Sequence, residues 1–271
     1  MTSPEETSKI GGLSEPGEYD ESMLTLLQII WGDGFLSPGG SEEIARLLEG
    51  SSVAGCKVLD IGCGLGAIDA LLVREHGAGS VIGVDIDPHL IERMQERVAR
   101  AGLSDRIEGR RVDGGPLPFA AASFDVVFSK DSLVQIPDKA AIFAEILRVL
   151  RPGGRFIASD WLRGGSGDYS PEMTEFFRLE GIAYNMASLE DSAAALHAAG
   201  FRDVEIRDRH AWYLPLAQRE LESMEGGLGP LIVSRIGETR AKYFIDDWRQ
   251  MVLVLERGEL RPGHLKAVKP A

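Results

Sequence analysis

Apolar and polar positions change period several times along the chain. M-L-T-L-L-Q-I-I-W is almost wholly apolar and predicts a short buried helix over 22–31. The loop G-D-G-F-L-S-P-G-G follows. Ser41 then reads as the cap of S-E-E-I-A-R-L-L, with Glu42 and Glu43 in the first turn, where the helix dipole favours acids. C-K-V-L-D-I (56–61) has the composition of a strand, and 67–75 has helical spacing. S-V-I-G-V-D (80–85) is a second strand. A helix over 88–101 begins at Pro88, where proline is tolerated. A weaker strand follows at 107–112 and a clear one at 124–129. A helix over 139–150 is closed by R-P-G-G, and a fifth strand runs over 155–160.

Strands and helices alternating at this pace predict an α/β fold with right-handed crossovers. Its parallel sheet is covered on both faces. Ligands of such sheets sit beyond the carboxyl ends of the strands. That singles out Gly62–Gly66, Asp85, Asp113, Ser129–Asp131 and Asp160–Trp161. After Trp161 the alternation stops. Helices are expected at 172–180, 189–199 and across most of 218–251, with strands at 201–208 and in the final G-H-L-K-A-V-K. Residues 162–188 read as an insertion over the strand ends, a common place for substrate selection. Residues 1–18, rich in Ser, Glu, Gly and Pro, read as a mobile arm. One domain over 1–271 is expected.

Charge narrows the partners. The formal net charge is −13, so a nucleic-acid backbone would be repelled, whereas a cationic small molecule is compatible. No apolar run approaches the roughly 20 residues of a membrane span, and the N-terminus lacks a signal-peptide pattern. Two cysteines, Cys56 and Cys63, are too few for a disulfide framework, so a cytoplasmic setting is expected. No metal-binding spacing occurs in the sequence, and no metal is expected.

The chemistry concentrates in V-L-D-I-G-C-G-L-G. Gly62, Gly64 and Gly66 follow a strand and precede a helix, where glycine permits a tight turn and close approach of a ligand. Asp85 ends the next strand about 20 residues on, where a carboxylate can hold both hydroxyls of a ribose. The spacing is G-x-G-x-G rather than the dinucleotide pattern G-x-G-x-x-G. Asp60 stands just before it, where a pyrophosphate would be repelled and an amino-acid ammonium attracted. S-adenosylmethionine carries such an ammonium, a ribose and no phosphate.

With L-D-I-G-C-G-L-G, G-V-D-I-D-P, L-P-F-A-A-A-S-F-D-V-V and L-R-P-G-G-R-F in order, the chain resembles class I S-adenosylmethionine-dependent methyltransferases over roughly residues 50–160. The resemblance implies a Rossmann-like fold with a mostly parallel seven-stranded sheet and helices on both faces. Asp85 would bind the ribose and Asp113 the adenine amino group. Asp60, Gly62, Gly64, Gly66, Ile86, Gly114 and Ser129 would complete the cofactor site. E-Y-D-E (18–21), I-I-W-G-D-G-F-L-S-P-G-G, S-K-D-S-L-V-Q-I and D-D-W (246–248) are similar to the phosphoethanolamine N-methyltransferase family. There an N-terminal segment, here 1–40, closes over the cofactor. Tyr19 matches a tyrosine that latches onto a catalytic histidine, Asp131 an aspartate that contacts the amine, and Leu36 and Ser37 positions that touch the cofactor.

The departures concern the acceptor. Gln135 stands where that family has its histidine, and an amide does not titrate near neutrality. Trp161 replaces a tyrosine, and Tyr184 retains one. The phosphate-holding arginine falls near Ile182, with another tyrosine near Arg178. His210 and His264 are the histidines that could substitute as a base. The implied activity is methyl transfer to nitrogen of a small amine-bearing molecule. An O- or C-methyltransferase of a small metabolite and a non-catalytic binder of the cofactor remain as alternatives.

Overall fold

The computed structural model describes residues 19–182 and 184–271. The mobile-arm reading of residues 1–18 therefore lies outside the described residues. Seven strands form one sheet in the order β3-β2-β1-β4-β5-β7-β6. They are β1 (Lys57–Ile61), β2 (Ser80–Asp85), β3 (Ile107–Arg111), β4 (Phe124–Lys130), β5 (Leu150–Arg163), β6 (Arg202–Asp208) and β7 (Leu260–Val268). β1 to β5 pair in parallel, and β7 runs antiparallel between β5 and β6.

Both sheet faces are covered, as near-continuous apolar strands require. On one face Val58, Val81 and Phe128 pack against α2 (Gly40–Leu47), α3 (Ala67–Arg74) and α4 (Pro88–Arg100). On the other, Leu59, Val127 and Phe156 pack against α5 (Lys139–Val149) and α7 (Leu189–Ala199). Val58 and Leu59 are adjacent yet belong to different cores, which is the two-residue alternation of a strand. A third apolar cluster joins α1 (Glu21–Trp31), α6 (Pro171–Glu180), α8 (His210–Glu225), α9 (Gly229–Ile236) and α10 (Glu238–Glu256) through Leu26, Phe176, Tyr213, Ile232 and Trp248.

Some boundaries differ from the sequence reading. Ser41 does not cap α2. The helix starts two residues earlier than that cap implies, at Gly40; its N-cap is the left-handed Gly39, and no side chain caps it. Glu43 turns inward instead, to Arg209 and His264. β5 continues past Asp160 to Arg163, because β7 pairs with it along that length. α8 begins at His210 despite Pro215 inside it. Burial of Tyr213 and Ala217 outweighs the local cost of that proline. No helix among the described residues is long and apolar enough to cross a membrane.

Candidate active site

The strand order reverses between β1 and β4, and the crevice beyond their carboxyl ends is where such sheets bind ligands. A cavity of about 750 Å³ opens there, lined from the turns after β1, β2 and β4. Its floor is the glycine turn. Gly62 has φ +76°, and a Cβ on it would come within 2.3 Å of the Ser132 side chain. Part of the glycine requirement is therefore internal packing between β1 and the turn after β4. The Gly64 N–H donates to Asp85 Oδ2 at 3.0 Å, and the Asp87 N–H donates to Oδ1 at 3.1 Å. Asp85 thus braces the turn and still presents its carboxylate to the cavity. Burial raises its pKa, and these backbone donors oppose the rise.

A second, smaller chamber of about 60 Å³ adjoins the first. Tyr19, Leu36, Ser37, Asp131 and Gln135 line both. Asp131 has φ +56°, uncommon for a residue with a Cβ. Two contacts hold it. Lys130 Nζ donates to Oδ2 at 2.5 Å, and Ser159 Oγ donates to Oδ1 at 2.9 Å. Both members of the ion pair are buried, with side-chain exposures of 3% and 6%. Tyr19 is half-buried, and desolvation together with the nearby Glu180, Asp85 and Asp131 pushes its phenol pKa up.

The remaining expected site residues fall as follows. Gly62, Gly64, Asp85, Ile86 and Gly114 line the larger cavity. Trp161 and Tyr184 line the smaller one. Asp60, Gly66, Asp113 and Ser129 line neither. Asp113 points to solvent and pairs with Arg111 at 3.0 Å, its side chain 86% exposed. Ser129 is buried and donates to the Ile61 carbonyl. Of the two histidines, His210 contacts the Leu255 carbonyl and His264 contacts Glu43, and neither lines either of these two cavities.

Asp60 lies beneath the glycine turn beside Asp69 of α3. Asp60 Oδ1 and both Asp69 oxygens are buried without a hydrogen-bond partner among the described residues. Burial pushes both carboxyls up, Asp69 to about 7. A carboxyl whose pKa is raised by folding favours the folded state while protonated. That contribution is full below the ordinary carboxyl range and is lost as pH rises toward 7. Asp69→Asn fixes the neutral form. Its stability advantage over wild type is expected to grow by about 2 kcal/mol, roughly 6 °C in melting temperature, between pH 5 and pH 8. A pH-independent difference in thermal melts would contradict the assigned burial effect.

Sequence reasoning assigned no role to three charged residues at the site. Lys130 lies inside the singled-out stretch Ser129–Asp131 but was given no role of its own. Glu180 closes α6, and Asp247 sits in the D-D-W stretch. Glu180 and Asp247 meet the smaller chamber from helices far apart in the chain, and no local spacing announces that.

The profile of a methyltransferase domain family matches residues 52–213. The chain belongs to the class I S-adenosylmethionine-dependent methyltransferase family. This methyltransferase is 32% identical over 209 residues to phosphoethanolamine N-methyltransferase 1 of Arabidopsis thaliana, covering 77% of this chain and 41% of that one. The chain spans about half the length of the plant relatives it matches. It is 30% identical to the 27-O-demethylrifamycin SV methyltransferase of Amycolatopsis mediterranei, over 79% of this chain and 83% of that protein. Among solved structures, phosphoethanolamine N-methyltransferase 2 of Haemonchus contortus, in complex with phosphomonomethylethanolamine and S-adenosylhomocysteine, superposes with TM-score 0.85. The identity is 25%, and the match covers 93% of this chain and 59% of that one.

The residues of the larger cavity fit the methyltransferase cofactor. Asp85 suits the ribose, and Ile86, Val112, Leu117 and Ile142 offer apolar surface to a base. Five carboxylates (Asp85, Asp87, Asp131, Asp138 and Glu145) and one lysine line this space, and that lysine is paired with Asp131. Such a lining opposes a pyrophosphate and accepts a sulfonium.

Proposed function

We propose that this methyltransferase transfers a methyl group to the nitrogen of a small amine. The observation that carries this reading is the junction of the two cavities, where Asp131 and Tyr19 face both the donor and the acceptor sides. When bound, S-adenosylmethionine would supply an electrophilic methyl, taken in line by the amine lone pair as the sulfur–methyl bond breaks and S-adenosylhomocysteine leaves, so positioning contributes much of the rate. The protein's residues do the rest. An amine arrives protonated and must expose its lone pair. The Asp131 carboxylate, fixed by Lys130 and Ser159, accepts a hydrogen bond from the nitrogen and aims it at the donor cavity. The Tyr19 hydroxyl and the Gln135 amide orient the remaining N–H groups. Gln135 carries no proton away, so the proton leaves through a carboxylate or water.

Tyr19 to Pro38 lies against both cavities, which supports reading the described part of residues 1–40 as a cover for the cofactor. Arg93 with Glu21, and Arg97 with Asp33, tie this segment to α4. The position of Glu180, Ile182 and Tyr184 on the smaller chamber supports the reading of 162–188 as substrate-selecting.

Turnover with isotope-labelled methyl donor and an amine panel, followed by product NMR, tests the assignment. Label on nitrogen is expected. Label on oxygen or carbon would replace it with the second reading, which the likeness to the rifamycin-type methyltransferase favours.

A further inference from the structure

The acceptor chamber has a one-sided composition. Three carboxylates line it: Asp131, Glu180 and Asp247. No lysine, arginine or histidine does so among the described residues. Lys130 neutralises Asp131 from the side of the larger cavity. Glu180 and Asp247 have no such cation among the described residues. Asp247 is 3% exposed, and its Oδ1 has no hydrogen-bond partner among the described residues. A buried carboxylate left unpaired in an apolar wall is costly, and it marks a place where a ligand completes the pairing. Burial pushes Glu180 up to about 7, and burial together with the neighbouring Glu180 pushes Asp247 up as well.

The rest of the wall is aromatic and apolar. Trp31, Trp161, Tyr184, Phe244 and Trp248 surround the carboxylates, with Ile182 and Met251 between them. Ring faces attract an ammonium, and methyl groups added to its nitrogen improve the fit to such a wall. A phosphate would meet two carboxylates and no hydrogen-bonding cation, an arrangement opposite to a phosphate site.

We infer that the acceptor is a small, phosphate-free ammonium held by Asp247 and Glu180 within the aromatic wall. This rests on the N-methylation reading and narrows it. The two carboxylates act as acceptor-binding residues, set apart from the Asp131 that faces the donor.

The test compares choline and phosphocholine by calorimetry on protein saturated with S-adenosylhomocysteine. The two probes share the cationic head and differ by the phosphate. Choline is expected to bind at least about tenfold more tightly than phosphocholine. Asp247→Asn is expected to weaken choline about tenfold while S-adenosylhomocysteine affinity changes by less than about twofold. Glu180→Gln is the second variant and is expected to act in the same direction. Equal or tighter binding of phosphocholine overturns the inference. So does choline affinity unmoved by both substitutions, or no binding of either probe. Should one of these occur while labelled methyl still appears on amine nitrogen, the N-methylation reading stands and only the phosphate-free ammonium fails. Label on oxygen or carbon removes the N-methylation reading itself.

Discussion

Asp85→Ala is expected to lower affinity for S-adenosylhomocysteine by about 100-fold or more. A carboxylate holding two ribose hydroxyls makes two charge-assisted hydrogen bonds, each worth about 1.5–3 kcal/mol. The same side chain accepts from the Gly64 and Asp87 N–H groups, so its removal also frees the turn that floors the cavity. The loss therefore has two sources, and Asp85→Asn separates them. The amide retains one acceptor oxygen for the turn and loses the charge. Titration calorimetry reads both variants, with thermal melts to show that the fold survives. Alanine binding within about threefold of wild type would place the ribose elsewhere.

The second large effect concerns Lys130 and Asp131. Breaking a buried ion pair from one side leaves the other charge uncompensated, at a cost of about 3–5 kcal/mol. Asp131→Ala strips Lys130 of its partner in a site where both side chains are nearly inaccessible. It also removes the carboxylate that faces both cavities. A melting temperature lower by on the order of 10 °C and loss of turnover are expected together. The double variant Lys130→Met, Asp131→Ala removes both charges and is expected to recover most of the stability but none of the activity. Recovery of both would reduce Asp131 to a structural role. Alanine at this position also carries the strain of φ +56°, which Asp131→Asn tolerates better, so the asparagine variant isolates the charge.

The parallel half of the fold was legible because its signals are local. Apolar runs of strand length, bounded by glycine and aspartate, gave β1, β2 and β4 nearly to the residue. Helical spacing with Pro88 at its start gave α4. The errors came where tertiary contacts override local preference. Ser41 is a good cap by type, yet Gly39 takes the position because Glu43 is drawn into contact with Arg209 and His264. Helix was expected only from about residue 218, yet α8 begins at His210 and runs through Pro215 over buried Tyr213 and Ala217.

The site divides the same way. Gly62, Gly64 and Asp85 sit at strand ends that periodicity locates, and the structure brings them to one cavity. The expectation for Asp113 followed its position after β3, but its side chain turns outward to Arg111. Glu180 and Asp247 were illegible for another reason. Each looks like an ordinary helix acid in its own segment, and only the packing of α6 against α10 beside the sheet ends makes them neighbours of one chamber.

Five residues belong to both cavities, so the two compartments share a wall of side chains. Whatever shifts Tyr19, Leu36 or Asp131 when one compartment fills is felt in the other. By thermodynamic reciprocity, each occupant then changes the affinity of the other by the same factor. In steady-state terms the two substrates are coupled variables. An affinity measured for one has meaning only at a stated concentration of the other.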